Sequence, residues 1–380
     1  MADLDALIGP RLAALAPSGQ RRLLRVHDAD PALIDVASND YLGLARHRDV
    51  IERACAWTRR HGAGSRASRL VTGTSGAMLD LEARLARFKG TAAALVFASG
   101  YQLNSAVLPA LLELGDGPLV FTDRLNHASI HAGLGAGLRG RRQIRFRHND
   151  LAHLEDLLDR HPGSRDTPRW IVTESVFSMD GDRADVPALA ALARRHGACL
   201  YLDEAHATGV LGPQGKGLAA TAPGGTTVVM GTLGKALGGA GAYVAGSRAL
   251  IDWLVNRCAG FIYSTAPAPA AFGALDAALE LVPGMDAERA RLADMGAALR
   301  AVLRTKGIDT LASTTQIVPA VLGDASRTLA AAEKLRAAGI LVGAIRPPAV
   351  PAGTARLRFS LSAALSATQF ERVLAAVQRL

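Results

Sequence analysis

The sequence predicts an α/β fold, with a large domain built on a mostly parallel mixed sheet and a smaller α+β domain at the C-terminal end. Two observations carry this prediction. Between residues 46 and 265, helical stretches alternate with short runs that are apolar on both faces, as strands of a buried parallel sheet are. After residue 265 the alternation stops and helical pattern predominates. We therefore expect an N-terminal helix and extended segment at 1–45, a large domain at 46–265 and a small domain at 266–380.

The individual elements follow from periodicity and from turn residues. The N-terminal segment predicts an amphipathic helix at 3–16 that ends at Pro17-Ser18-Gly19, a short strand at 34–37 and a polar turn at 38–43. In the large domain, helices are expected at 48–60, 75–89, 101–113, 150–160 and 186–196. The strands between them are Ala93–Phe97, Pro118–Phe121, Trp170–Thr173, Cys199–Leu202, Val228–Met230 and Ala242–Ala245.

The small domain opens with a long helical region at 269–305, interrupted at Pro283-Gly284. Further helices are expected at 325–338 and 366–379, and strands at Gln316–Leu322, Ile340–Val342 and Arg356–Leu361. No internal repeat and no low-complexity segment is visible in the sequence.

Composition excludes several classes of protein. The 380 residues carry a formal charge of +9, but the basic residues are scattered, which argues against nucleic-acid binding and fits an acidic partner or an anionic substrate better. The cysteines Cys55, Cys199 and Cys258 show no disulfide framework and no zinc spacing, so we expect reduced thiols and no metal. Neither a signal peptide nor a run of membrane-spanning length is apparent, so a cytoplasmic protein without membrane association is expected.

A lysine in a glycine-rich turn is the most informative residue. Lys235 stands in Gly231-Thr232-Leu233-Gly234-Lys235-Ala236-Leu237-Gly238-Gly239, in a chain with only five lysines against 38 arginines. Asp203 follows the apolar run Cys199–Leu202 and so falls at the carboxyl end of a buried strand, where α/β sheets bind ligands. An amine and a buried carboxylate suit pyridoxal phosphate: the amine forms a Schiff base and the carboxylate keeps the ring nitrogen protonated. Taken alone, an aspartate at this place is more often a helix cap or a solvated loop residue, but the pairing of Asp203 with Lys235 and His206 favours the cofactor.

Two histidines extend the predicted site. His206, shortly after Asp203, could hydrogen-bond the phenolic oxygen of the cofactor or the substrate, or be a loop histidine without a ligand. His127 follows the strand that ends at Phe121 and could stack on an aromatic ring. Taken alone, a histidine at the place of His127 is more common as a core or helix-capping residue.

A phosphate could lie at a strand-to-helix turn. Ser99-Gly100-Tyr101-Gln102 opens a helix, and the free amides of a helix start can hold a phosphate, although this signal is weak alone. The Thr232 hydroxyl could donate to the same phosphate. The nucleotide-binding patterns fail, because Gly234-Lys235-Ala236 lacks the Ser or Thr of a Walker loop and Gly239-Ala240-Gly241 does not continue as a dinucleotide fingerprint.

Arginines near the C-terminal end are candidates for an anionic substrate. Arg356 and Arg358 alternate with apolar residues in Ala355-Arg356-Leu357-Arg358-Phe359, so both side chains fall on one face of a strand. A substrate carboxylate is bound best by a bidentate guanidinium. In an arginine-rich chain, however, a surface arginine is the default interpretation of any single one.

Together these motifs resemble the α-oxoamine synthases, a family of fold-type I pyridoxal-phosphate enzymes, from about Ser38 to the C-terminal end. The pieces that carry the resemblance are Ser38–Leu44, Thr173–Asp182, Asp203–His206, Ile262–Thr265 and Ala344–Arg358. The last of these, with Arg346-Pro347-Pro348, is most similar to the member of the family that acts in biotin biosynthesis.

The resemblance implies a role for each matching residue. Lys235 would be the Schiff-base lysine, Asp203 would pair with the pyridinium, and His127 would stack on the ring. His206 and Ser178 would contact the phenolic oxygen. The implied catalytic residues are Lys235, His127, Asp203 and His206, and the implied phosphate ligands are Gly100, Tyr101 and Thr232.

The resemblance also implies substrate contacts. Arg358, with His127, would bind the amino-acid substrate, and Arg21 and Ala349 would touch the acyl substrate. Two positions depart from the family pattern, since Ala349 stands where a threonine is expected and Met78 where relatives often have histidine. Ala349 would lose a hydroxyl contact to the acyl group.

The implied reaction is the decarboxylative condensation of L-alanine with a pimeloyl thioester, either pimeloyl-ACP or pimeloyl-CoA, in a homodimer. Lys235 would remove the α proton of alanine. Within the family, 2-amino-3-ketobutyrate ligase, 5-aminolevulinate synthase and serine palmitoyltransferase use glycine or serine instead. A pyridoxal-phosphate aminotransferase is an alternative from another enzyme class, and a cofactor-binding regulatory domain is the non-enzyme alternative.

Overall fold

The computed structural model describes residues 3–15, 20–24, 26, 33–138, 143–164 and 166–380. The predicted helix end at Pro17-Ser18-Gly19 lies outside the described residues. Within the described residues the chain forms two compact units, one at 40–178 and 183–290 and the other at 1–39, 179–182 and 291–380. None of the helices that the structure describes is both long enough and apolar enough to span a membrane.

The elements alternate through the first two thirds of the chain. The strands are β1 Ile34–Asp35, β2 Ala93–Phe97, β3 Leu119–Asp123, β4 Ile144–Phe146, β5 Arg169–Glu174, β6 Cys199–Asp203, β7 Val228–Thr232, β8 Ala242–Gly246, β9 Ile317–Gly323, β10 Ile340–Leu341, β11 Gly343–Ile345 and β12 Ala355–Ser360. The helices are α1 Leu4–Leu15, α2 Arg48–His61, α3 Gly76–Lys89, α4 Gly100–Leu111, α5 Ala128–Gly137, α6 Leu151–Arg160, α7 Val186–Arg195, α8 Arg248–Arg257, α9 Ala259–Ile262, α10 Pro269–Leu281, α11 Asp286–Thr305, α12 Ala325–Ala337 and α13 Ala367–Val377.

The larger unit is built on a sheet of seven strands in the order β2-β8-β7-β6-β5-β3-β4. Neighbouring strands from β7 to β4 run parallel, whereas β8 runs antiparallel to both β7 and β2. The mixed, mostly parallel α/β architecture is therefore confirmed. Helices cover both faces: Leu103 of α4 and Leu254 of α8 pack on one side, and Leu154 of α6 and Leu189 of α7 on the other.

Helix α10 packs within the larger unit. The ring of Phe272 stacks on that of Trp57 of α2, with the centroids 6.1 Å apart, and the Asp276 carboxylate accepts from Arg53 and from the Trp57 indole at 2.8 and 3.2 Å. The sequence predicts a domain boundary after residue 265, whereas the two compact units divide at 290/291, so that α10 and these contacts fall in the larger unit. Because its side chains pack on α2, helix α10 is part of the larger unit.

The smaller unit contains an antiparallel sheet, β11-β12-β9, and a parallel pair formed by β1 and β10. The extended N-terminal segment joins this sheet region, because the Ser360 amide donates to the Val36 carbonyl at 2.8 Å. Helix α13 begins with a capping box formed by Ser366 and Gln369. Strand β11, which the sequence pattern did not predict, pairs Gly343 with Arg358 of β12.

Candidate active site

A cavity of about 200 Å³ opens in the larger unit at the carboxyl ends of β5, β6 and β7. Ligands bind in parallel sheets at this edge because the loops that follow the strands surround it. The cavity brings together seven of the residues that the sequence singled out, namely Gly100, Tyr101, His127, Asp203, His206, Thr232 and Lys235.

One end of the cavity is formed by the start of α4. Ser99 caps this helix by accepting from the Gln102 amide at 3.2 Å, which leaves the amides of Gly100 and Tyr101 without an intrahelical partner. A Cβ at position 100 would lie 2.7 Å from Cγ2 of Thr232, so only glycine lets the helix start approach the end of β7 this closely. Paired amides at a helix N-terminus and a nearby hydroxyl make a suitable phosphate site.

Asp203, at the end of β6, also lines the cavity. Its side chain is buried, with Oδ1 accepting from the Ala205 amide at 2.9 Å and Oδ2 from Nδ2 of Asn104 at 3.0 Å. Both donors are neutral amides, so they supply hydrogen bonds to the carboxylate but leave its negative charge in place. The arrangement fits a carboxylate that receives a protonated ring nitrogen.

Lys235 is half-buried in the turn that follows β7. Hydrogen bonds from the Leu233 amide to Gly241 and from the Gly239 amide to Leu233, both 2.9 Å, close this turn. Gly238 adopts a φ of 65°, and a Cβ there would lie 2.4 Å from the carbonyl carbon of Leu44. Glycine is therefore required at 238, and the lysine is held by the backbone of its own turn.

His127 combines two roles that the sequence left open. Its Nδ1 accepts from the Ser129 amide at 3.2 Å, which makes it the N-cap of α5, and its ring also lines the cavity. Burial lowers the pKa of the imidazole and Lys235 lowers it further, while Asp203 opposes them. The neutral ring presents a flat face that suits stacking on an aromatic cofactor.

His206 is buried and paired with Tyr41. The Tyr41 hydroxyl lies 2.6 Å from Nδ1 of His206, and the Tyr41 side chain is fully buried. This contact fixes the direction of the imidazole. The contact also connects two segments that the sequence analysis singled out, the polar turn at 38–43 and the residues that follow β6.

Glu174 is a member of the site that sequence reasoning missed. It ends β5 beside Asp203 of β6, and its Oε1 accepts from the His127 amide at 2.5 Å. Burial raises the pKa of Glu174 well above the usual value, and the charge of Asp203 raises it further. A signal existed in the sequence, since Glu174 follows its apolar strand just as Asp203 follows the next one.

Asn104 was missed as well. It lies one helical turn after Gly100, on the face of α4 that meets the cavity, and its amide reaches both Asp203 and Ser129. The spacing from Gly100 could have indicated it, because residues four apart share a helix face.

Ser178 lies in the turn after β5 and is not one of the described residues that line the cavity. Its contact with a phenolic oxygen therefore stays a prediction.

Apart from His127, which lies in the larger unit, the predicted substrate residues Arg21, Ala349 and Arg358 lie in the smaller unit. Arg358 is buried on β12 and donates to Oδ1 of Asn39 at 3.1–3.2 Å and to Oγ of Ser360 at 2.7 Å. Arg356, on the same strand, forms an ion pair with Asp180. Both arginines are buried, so neither is an ordinary surface arginine.

Arg21 is exposed, and its carbonyl accepts from Arg346 at 3.3 Å. Ala349 follows Arg346 in an exposed loop, and its amide donates to the Arg346 carbonyl at 3.2 Å. The structure thus gathers Arg21 and Ala349 around Arg346. Their contact with an acyl group stays a prediction.

The donor set of the cavity fits pyridoxal phosphate. It offers an amine on Lys235, a carboxylate on Asp203 and a helix start narrowed by Gly100 against Thr232. Those groups match the aldehyde, the ring nitrogen and the phosphate of that cofactor.

Comparison with known proteins agrees with this chemistry. The family model described as aminotransferase class I and II matches residues 31–377. An 8-amino-7-oxononanoate synthase from Gluconacetobacter diazotrophicus is 60% identical over 352 residues, 91% of this chain and 87% of its own length.

Two solved structures share the fold. A serine palmitoyltransferase from S. paucimobilis with a bound pyridoxal-phosphate–myriocin aldimine has a TM-score of 0.91 at 28% identity, over 100% of this chain and 98% of its own. An 8-amino-7-oxononanoate synthase from Francisella tularensis has a TM-score of 0.77 at 26% identity, over 92% of this chain and 98% of its own.

The chain therefore belongs to the class I and II aminotransferase family and has the fold of the fold-type I pyridoxal-phosphate transferases. Within that family it groups with the 8-amino-7-oxononanoate synthases, pyridoxal-phosphate-dependent acyltransferases of biotin biosynthesis. The predicted family and cofactor are confirmed.

Proposed function

We propose that the chain condenses L-alanine with a pimeloyl thioester, carried by ACP or CoA, to give 8-amino-7-oxononanoate, CO2 and the free thiol. The observation that carries this proposal is the cavity that joins the Lys235 amine, the Asp203 carboxylate and the imidazole of His127. The names of the relatives support the choice of substrates. We place the reaction in the cytoplasm, a part of the proposal that rests on the sequence.

Bound pyridoxal phosphate supplies an aldehyde for a primary amine and a ring that takes up the electrons left when the α proton or the carboxylate of an amino acid departs. Lys235 would hold the cofactor through its amine, and the same amine, when free, would remove the proton from Cα of alanine. The lowered pKa of His127, caused first by burial, keeps that ring neutral beside the lysine.

Asp203 would keep the ring nitrogen of the bound cofactor protonated, because a buried carboxylate favours the cationic ring. The alanine Cα then forms a bond to the thioester carbonyl carbon as the thiolate leaves. Loss of the original alanine carboxylate as CO2 and the return of a proton to Cα complete the balance.

Arg358 is proposed to bind the alanine carboxylate. Its guanidinium is held in the smaller unit by Asn39 and Ser360, so it is ordered before a substrate arrives. A bidentate guanidinium also fits a planar carboxylate better than a lysine would. Arg21 and Ala349 are proposed to contact the acyl chain.

We further propose that the protein is a homodimer. Leu70, Val71 and Leu79 are 51%, 74% and 53% exposed, and Leu70 and Leu79 line a groove of about 560 Å³ in the larger unit. Exposed apolar clusters of this kind mark interaction surfaces, and we assign this one to a second copy of the chain. Sedimentation should give a dimer for the wild type and a shift towards monomer for Val71→Glu. A monomeric wild type would overturn the assignment.

The substrate experiment supplies pimeloyl-CoA or pimeloyl-ACP with L-alanine, glycine or L-serine and measures thiol and CO2. We expect release that depends on alanine. Release with glycine and none with alanine would contradict the proposal. Conversion of the cofactor to its pyridoxamine form by a keto acid, without consumption of thioester, would indicate an aminotransferase.

Borohydride trapping tests the lysine separately. Wild-type protein should retain covalently bound cofactor after reduction, and Lys235→Ala should not. Lys306→Ala is the matched control, because Lys306 is an exposed lysine that donates to the Gln378 carbonyl in the smaller unit. Covalent trapping in Lys235→Ala would disprove the assignment of the lysine.

A further inference from the structure

We propose that Asn104 is a positioning residue that orients Asp203 and His127 together. This role rests on the proposed function of those two residues at the cofactor. Asn104 is 1% exposed, and its single side-chain amide contacts three partners. Nδ2 donates to Oδ2 of Asp203 and to Oγ of Ser129, each at 3.0 Å, and Oδ1 accepts from the Tyr201 hydroxyl at 2.6 Å.

The direction of each hydrogen bond follows from the chemistry of the partners. An ionised carboxylate only accepts, so the NH2 group of Asn104 must face Asp203 and the carbonyl must face Tyr201. Burial raises the pKa of Tyr201 well above the ordinary value, and Asp203 adds to that rise, so this phenol keeps the proton that it donates. Tyr201, which is not among the described residues that line the cavity, therefore fixes the orientation of the amide.

The side-chain amide of Asn104 also determines the direction in which the Ser129 hydroxyl donates its proton. The Ser129 oxygen accepts from Asn104, so its own proton is directed to Nδ1 of His127, 2.7 Å away. The Ser129 backbone amide donates to the same nitrogen at 3.2 Å. With two donors at Nδ1, the ring proton of a neutral His127 resides on Nε2.

The position of Asn104 on α4 adds a geometric link. The helix start at Gly100 and Tyr101 lies at the proposed phosphate end of the cavity, and Asn104 lies one turn further along the same rigid element. A close approach keeps α4 and α5 in register, since a Cβ on Gly133 would lie 2.2 Å from the Asn104 carbonyl oxygen. One helix thus relates the phosphate site, the carboxylate and the imidazole.

The competing interpretation is that Asn104 is only a satisfied polar residue of the core, as most buried polar groups are. A structural role predicts lower stability and an unchanged affinity for the cofactor in whatever protein remains folded. A positioning role predicts a change in that affinity and in the protonation of His127.

The test uses Asn104→Asp, which keeps the shape and replaces the donor beside Asp203 by a second carboxyl group. Pyridoxal phosphate is titrated into apoenzyme, with thermal unfolding of the apoenzyme measured in parallel. We expect the dissociation constant to rise about 10-fold, because a hydrogen bond to a charged group accounts for roughly that ratio. Ser105→Ala is the matched control on the same helix, since the Ser105 hydroxyl makes no hydrogen bond to the described residues.

A second readout is nitrogen NMR of histidine-labelled holoenzyme, with His127 assigned by its loss in His127→Asn. Wild type and Ser105→Ala should show Nδ1 unprotonated and Nε2 protonated, and Asn104→Asp should shift both resonances. If Asn104→Asp does not fold, Tyr201→Phe decides, with an expected rise of about 3-fold in the dissociation constant because the outer anchor of the amide is lost.

Folded variants with an unchanged dissociation constant and unchanged His127 resonances would overturn the role of Asn104. Borohydride trapping separates this failure from that of the proposed function. Normal trapping at Lys235 in the wild type, with unaffected Asn104 variants, would remove only the positioning role. Absence of trapping in the wild type would remove the cofactor assignment itself.

Discussion

Replacement of Lys89 by methionine should destabilise the larger unit strongly. Lys89 of α3 and Glu204, which follows β6, form an ion pair at 2.6 Å in which both side chains are 0% exposed. Lys89 also donates to the Lys216 carbonyl and lies 5.6 Å from the centroid of the Tyr243 ring. Burial alone lowers the pKa of Lys89, but Glu204 and Tyr243 outweigh it, so the pKa is raised overall and the ammonium form persists.

The magnitude follows from what Lys89→Met leaves behind. Glu204 retains the Ala219 amide at 2.8 Å but loses its charge partner in a site without exposed surface. Removal of one partner of a buried pair costs about 3–5 kcal/mol, a large part of the roughly 5–15 kcal/mol that stabilises a typical domain. Glu204→Gln should cost a similar amount because it leaves the ammonium unpaired.

The double variant Lys89→Met/Glu204→Gln provides the decisive comparison. A neutral amide at 204 can still accept from Ala219, and no charge remains buried, so the double variant should be more stable than the sum of the single losses by at least about 2 kcal/mol. Urea unfolding of holoenzyme, followed by circular dichroism, measures each loss. The control Lys306→Met removes an exposed lysine and should stay within about 0.5 kcal/mol of the wild type.

Single losses below about 1 kcal/mol, or a double variant that loses the sum of the two, would refute the reasoning. Either result would mean that the pair is hydrated in solution or that its two members act independently.

Two further predictions concern the cavity. Gly100→Ala should weaken binding of pyridoxal phosphate about 10-fold, since the new Cβ would lie 2.7 Å from Cγ2 of Thr232. The control Gly76→Ala, whose Cβ would have nothing within 4 Å, should bind the cofactor like the wild type. Equal titration curves for the two variants would contradict this prediction. Glu174 has a raised pKa when folded, chiefly through burial, so the folded state retains a proton that the unfolded chain has lost. Wild-type apoenzyme should therefore lose stability as the pH rises from about 4.5 through the folded pKa. Glu174→Gln, which titrates no proton there, should gain in relative melting temperature from about pH 5 to about pH 8; a constant difference would show that Glu174 does not titrate in this range.

The elements that the sequence predicts best are those whose own residues determine them. The run Ala93–Phe97 is apolar at every position and forms β2 with the same bounds, because a strand that is buried on both faces needs no alternation. Helix α13 likewise carries its start signal locally, in Ser366 and Gln369. The antiparallel direction of β8 can also be predicted, since the connection at 233–241 is too short for the crossover that a parallel pair needs.

The elements that were missed depend on tertiary packing. Helix α5 contains Gly133, Gly135 and Gly137, which weaken any local helix signal. Two of these glycines are explained by neighbours distant in the chain, as Cβ atoms at 133 and 137 would lie 2.2 Å from the Asn104 carbonyl oxygen and 2.8 Å from Leu112. A packing requirement of this kind leaves no periodic pattern. Strand β4 has only three residues, one of them exposed, and gives no strand signal either.

The site shows the same division. Lys235, Asp203 and His206 were recognisable because each stands in a distinctive local motif. Asn104 belongs to the site because α4 lies beside β6. Its spacing from Gly100 places it on the same helix face, but the sequence does not show that this face meets Asp203. A residue that supports a catalytic side chain in this way can be identified only when the fold shows which helix face lies beside which strand end.

The end of β6 shows why two consecutive carboxylates can have different chemistry. Neighbouring residues of an extended chain point to opposite sides, so Asp203 faces the cavity and Glu204 faces Lys89. Lys89 neutralises Glu204 within hydrogen-bond distance. Asp203 instead receives its hydrogen bonds from the amides of Asn104 and Ala205, which orient a carboxylate and leave its charge in place. That charge is what a cationic ring nitrogen requires, so the neutral donors around Asp203 are as much part of the proposed chemistry as the carboxylate itself.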